Sequence, residues 1–128
     1  MRKSLFTATT LLAATAFAAE MLPAGVKTEK SASGASVLAD AKGMTLYTFD
    51  KDTTGKSVCN GRCAKNWAPL LATGTDAMAM GDWTIVTRDD GTKQWAYKGK
   101  PLYTWIKDTQ PGQTTGDGVG KVWHTATP

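Results

Sequence analysis

Residues 42–53 and 98–109 carry almost the same phrase, KGMTLYTFDKDT and KGKPLYTWIKDT. Eight of the twelve aligned positions are identical, and Phe49 is matched by Trp105. The same offset of 56 positions relates Trp67 to Trp123, so the register runs on without insertion. One copy of so short a unit is too small to bury its own apolar face. Two copies in one chain of 128 residues therefore predict a single small domain, with the copies paired about a pseudo-two-fold axis.

Local pattern makes that unit β-rich. SVLAD (36–40) and MTLYTFD (44–50) flank AKG and read as two strands joined by a tight turn. WTIVTR, Asp90-Gly91 and KQWAYKG form the clearest hairpin, with Asp-Gly suited to a type I′ turn. A second tight turn at Lys98-Gly99 leads into KPLYTWIKD. The Gly-rich PGQTTGDGVGK then connects to a closing strand, VWHTA. CNGRCAKNW has the composition of a short helix. The expected class is all-β, mainly antiparallel, with a short helical turn near the cysteine pair and two pseudo-symmetric repeats.

Residues 1–18 have a basic start at Arg2 and Lys3, an apolar run and an Ala16-Phe17-Ala18 cleavage pattern, which reads as a signal peptide. The run is shorter than the roughly 20 apolar residues that span a bilayer and is broken by threonines. Residues 19–35 are small and polar and read as a flexible leader. The β domain is expected over 36–128, with repeat 1 at about 36–70 and repeat 2 at about 83–128. Loss of the signal leaves thirteen basic against eleven acidic residues, a net charge of +2. With no Lys/Arg cluster, nucleic acid is a poor partner. No later segment is apolar enough to insert in a membrane, so the expected location is periplasmic or secreted. The expected partner is an envelope protein or a small ligand.

On a strand, Tyr47 and Phe49 share one face while Leu46 and Thr48 share the other, and Tyr103 with Trp105 repeats the arrangement. The bulky rings read as core. Asp52 and Asp108 follow the strands, where a carboxylate accepts hydrogen bonds from turn amides or a tyrosine hydroxyl. A cation site or acid/base pair at the two Asp residues is disfavoured, because neither has a second carboxylate in a recognised spacing and Asp50 is replaced by Ile106. Cys59 and Cys63 in an exported chain read as a disulfide. Thiol redox motifs use two intervening residues where this pair has three. Met78, Met80, Met44 and the only histidine, His124, offer soft ligands for Cu(I), against the plainer reading of Met as packing. No nucleophile, base and oxyanion donors assemble in sequence, so an enzyme is not expected and no cofactor is assigned.

These residues resemble the bacterial secreted repeat family, predicted lipoproteins marked by a Tyr-x-(Phe/Trp/Tyr)-x-x-Asp motif. The motif falls here on Tyr47, Phe49 and Asp52, then on Tyr103, Trp105 and Asp108. The likeness runs from about Ser36 to the C-terminus. Many members have two prolines where this chain has Ala68-Pro69, and many carry a lipobox cysteine that is absent here. The resemblance implies export and a two-repeat β domain, with no established activity. The expected role is a non-catalytic binding module, with Trp83, Trp95 and Tyr97 as spare aromatics. The alternative is a metal or redox protein using Cys59/Cys63 or Met78/Met80/His124.

Overall fold

A computed structural model describes residues 22–74 and 77–128; the signal peptide expected at 1–18 lies outside the described residues. The strands are β1 (Val26–Lys30), β2 (Ser36–Asp40), β3 (Tyr47–Phe49), β4 (Trp67–Pro69), β5 (Trp83–Thr87), β6 (Lys93–Tyr97), β7 (Lys100–Pro101), β8 (Tyr103–Trp105) and β9 (Trp123–Thr125). A short helix α1 (Arg62–Asn66) precedes β4, and a 3-10 turn at Val119–Lys121 precedes β9.

The central sheet has the order β4-β8-β3-β9, and every pairing in it is antiparallel. Tyr47 pairs with Tyr103 at its middle. Phe49 pairs with Trp123 on one side, and Trp105 pairs with Trp67 on the other. Each motif strand therefore lies against the closing strand of the opposite repeat, and the order reads the same from either edge. The repeats exchange strands rather than stacking as closed units.

Two equivalent hairpins flank this sheet, β1-β2 in repeat 1 and β5-β6 in repeat 2, the latter extended by β7. The leader expected over 19–35 is thus too long. Val26–Lys30 forms a complete ladder with β2, with Val26 anchored in the core and the rest of the strand partly or fully exposed. The expected tight turn between 36–40 and 44–50 is present: Asp40 N bonds Met44 O, Ala39 bridges Thr45 and Leu46 N bonds Leu38 O before the chain crosses into β3.

The chain changes sheet at two matched leucines. Leu46 donates to Leu38 O, Leu38 to Ala126 O and Ala126 to Leu46 O, a closed ring of three backbone hydrogen bonds. Leu102, Trp95 and Leu70 make the same ring in repeat 2. Every peptide in these buried junctions is paired, as an apolar interior requires.

Period-two alternation then divides the core. Leu46 and Leu102 join Val26, Leu38, Trp83 and Trp95 in one apolar cluster. Tyr47 and Tyr103, one residue on, join Cys59, Trp67 and Trp123 in the other. The ring-bearing face of the sheet is therefore buried, while Thr48, Ala68, Thr104 and His124 on the other face are half-buried or exposed.

The Asp90-Gly91 turn is not type I′, because only Gly91 takes a positive φ, at 88°. Arg88 N bonds Thr92 O and Gly91 N bonds Arg88 O, a three-residue loop with glycine in the left-handed position. The type I′ geometry falls instead at Lys98-Gly99, with φ of 52° and 85°, between the paired residues Tyr97 and Lys100. Cys59 and Cys63 form a disulfide with a Cα separation of 5.2 Å. Closing so short a loop stabilises by about 2 kcal/mol. No helix among the described residues is long and apolar enough to cross a membrane.

Candidate functional site

The motif tyrosines and aspartates bond crosswise. Tyr47 donates its hydroxyl to Asp108 Oδ2 at 2.5 Å, and Tyr103 donates to Asp52 Oδ2 at 2.6 Å. The other oxygen of each carboxylate holds its own loop. Asp52 Oδ1 accepts from the Val58 amide at 2.8 Å, while Asp108 Oδ1 accepts from the Thr115 amide and hydroxyl. The two acids do not form a shared cleft; each links its turn to the partner repeat's central strand.

Burial raises the Tyr47 hydroxyl above its ordinary value of 10.0, and the bond to Asp108 raises it further against a smaller opposite pull from the Gly116 amide. Tyr103 is raised in the same way, by burial first and then by Asp52. Asp52 is itself raised by desolvation, opposed by its bonds from Tyr103 and Val58 and by the field of Arg88. Both tyrosines thus hold their protons tightly and donate to anionic acceptors, the stronger kind of hydrogen bond.

Arg88 is the charged residue that sequence reasoning missed. It is 5% exposed, and Arg is rarely so buried without partners. Its guanidinium reaches Ser57 Oγ, Gln94 Oε1, Cys59 O and Asn60 Oδ1. Ser57 meets the Tyr103 hydroxyl at 2.6 Å, so the network runs from Arg88 through Ser57 and Tyr103 to Asp52. Nothing in WTIVTR marks this arginine, since a strand ending in Arg usually releases it to water.

Four rings stack across the pseudo-axis in the order Phe49, Trp123, Trp67, Trp105. Their centroid separations are 4.2, 3.7 and 3.9 Å, with the two central indoles within 2° of parallel. Tyr47 sets its edge on Trp67 at 5.4 Å, and Tyr103 sets its edge on Trp123 at 5.2 Å. Such pairs contribute about 0.5–1.5 kcal/mol each beyond burial. Gly116 lies flat on this column: a Cβ there would stand 2.8 Å from Trp67 and 3.0 Å from Trp105.

The remaining residues singled out in sequence are dispersed. His124 pairs with Asp50 at 2.7 Å, both about half exposed. Met78 and Met80 line a different place, a cleft of about 480 Å³ with Pro23, Leu70, Leu71 and Trp95. Neither His124 nor Met44 reaches that lining, so the suggested copper set is not assembled. Cys59 is fully buried in the disulfide among the aromatic rings, and its partner Cys63 is partly buried beside them. Trp83 and Trp95 are buried core residues, and Tyr97 packs against them. The cleft walls are fixed by the Leu71–Gln94 and Met80–Trp83 bridges. Leu71 and Met78 stand exposed at 44% and 71% on its rim.

Strand exchange between two copies, locked by crossed Tyr–Asp bonds, defines a duplicated all-β domain in which the motif is the joint between halves. The family described as a secreted repeat of unknown function matches this chain twice, over residues 27–71 and 84–127. The chain belongs to that family of exported proteins. No curated protein and no solved structure matches it.

Proposed function

We propose that this protein is a non-catalytic binding module of the periplasm or cell envelope, and that its methionine-lined cleft receives an apolar segment of an envelope protein. The cleft itself carries the reading. Its volume falls within the usual range of about 300–1,000 Å³ for ligand sites. Methionine side chains are flexible and polarizable, which suits them to docking surfaces that accept varied apolar groups. The described lining residues include no acid, base or cysteine, so the cleft offers contact rather than chemistry. Exposed Leu71 and Met78 at the rim supply further apolar area to a partner.

The test is a fluorescence titration of the purified domain with extended Leu/Met-rich peptides. Trp95 in the cleft wall reports occupancy directly. Saturable changes in its emission are expected, lost in Met78→Glu and Leu71→Glu variants that retain the native far-UV spectrum. Absence of saturation in the parent protein, or equal binding by both variants, refutes the reading.

A further inference from the structure

The aromatic column has a chemical asymmetry that packing does not require. Of the five tryptophans, Trp67, Trp83, Trp95 and Trp123 are buried, and Trp105 alone is partly exposed. Trp105 stacks on Trp67, which stacks on Trp123, and the far end is closed by Phe49. Indole gives up an electron far more readily than phenyl. The one aromatic difference between the two motifs therefore leaves the column with a single oxidisable mouth. Each inner indole also touches the edge of a tyrosine whose hydroxyl already donates to a carboxylate. Oxidation of a buried phenol is favourable only if its proton has somewhere to go, and Asp108 and Asp52 stand in that position.

We propose that Trp105, Trp67 and Trp123 with Tyr47 and Tyr103 form a relay that carries a one-electron oxidation from the surface to a buried tyrosine. The oxidant is a small one-electron radical of the azide or carbonate class. It takes one electron from Trp105 and leaves as its anion. The electron vacancy passes through the ring contacts to Trp67 and Trp123. Tyr47 or Tyr103 then returns one electron to the adjacent indole and gives its O–H proton to Asp108 or Asp52. The balance is one radical, one phenol and one carboxylate giving one anion, one neutral tyrosyl radical and one carboxylic acid, with no proton released to solvent. Electron tunnelling falls off steeply with distance, and stacked rings at these separations are in direct contact. Burial lifts both hydroxyls and Asp52 toward their protonated forms, so each phenol is intact before oxidation and Asp52 is a stronger proton acceptor than a solvated carboxylate. This inference is independent of the cleft.

Pulse radiolysis with azide radical tests the relay. A Tyr97→Phe background removes the one tyrosine that is neither Tyr47 nor Tyr103. In that protein the indolyl absorbance should decay into tyrosyl absorbance by a first-order process independent of protein concentration and slower in D2O. Trp105→Phe should reduce the initial indolyl yield. The Asp52→Asn/Asp108→Asn pair should lose the tyrosyl phase while retaining the indolyl signal. Persistence of the indolyl radical, a tyrosyl phase of equal rate in D2O, or one retained in a folded Asn pair overturns the proposal. The isotope comparison uses unaltered carboxylates, so it decides the matter even if the Asn variants fold poorly.

Discussion

The hydroxyl of Tyr47 bonds the carboxylate of Asp108 at 2.5 Å, joining a strand of the first repeat to a turn of the second. The mirror bond, Tyr103 to Asp52, closes the exchange. A motif spaced within each repeat is thus satisfied only between repeats.

Removing either hydroxyl leaves a carboxylate short of a donor, at a cost of about 1–3 kcal/mol. Tyr103→Phe should cost more than Tyr47→Phe. Asp52 keeps only the Val58 amide, whereas Asp108 keeps both donors of Thr115. Urea unfolding of the two variants reads the order directly, and a reversed order contradicts this account of the joint.

Gly116→Ala should destabilise by about 1–3 kcal/mol through overpacking. The φ of Gly116 is not positive, so the penalty is steric: the new methyl meets Trp67 and Trp105. Loss of the coupled indole signal in near-UV circular dichroism should accompany the lower urea midpoint. An unchanged spectrum would mean the column is looser than described.

Arg88→Met strips the charged donor from four acceptors and should cost about 3 kcal/mol. Arg88→Lys should recover only part of that loss, because a single ammonium cannot reproduce the planar fork. Full recovery by lysine in denaturant titrations would show that charge alone matters there.

Alkaline pH should unfold the domain. Both buried tyrosines have folded values raised above 10.0, so the folded state binds their protons more tightly than the unfolded chain. Their contribution is full below about pH 10 and is lost as pH climbs toward the folded values. Tyrosinate absorbance from Tyr47 and Tyr103 should therefore appear together with loss of ellipticity. Titration of all three tyrosines while the fold persists is the contrary result.

Much of the architecture is legible in the chain. Alternation puts Tyr47 and Leu46 on opposite faces because strand geometry has a period of two, whatever the strand pairs with. The repeat offset announces the two-fold arrangement, and the spacing of Cys59 and Cys63 suits a local bridge. Turn type was less legible. Asp90-Gly91 takes a three-residue loop in place of the expected type I′ turn, which falls at Lys98-Gly99, because the flanking registers set the loop lengths. The strand at Val26–Lys30 was hidden by its small and charged residues, which show too little alternation to announce a ladder.

The duplicated phrase and its alternation were set by local chemistry, which acts within a few residues. Strand exchange, the crossed Tyr–Asp bonds, the burial of Arg88 and the stacking of Trp67 on Trp123 were decided only in three dimensions. The reason is physical: two nearly identical strands offer the same hydrogen bonds to their own repeat and to its twin. Only closure of the whole sheet, with its ring-bearing face buried, selects the twin.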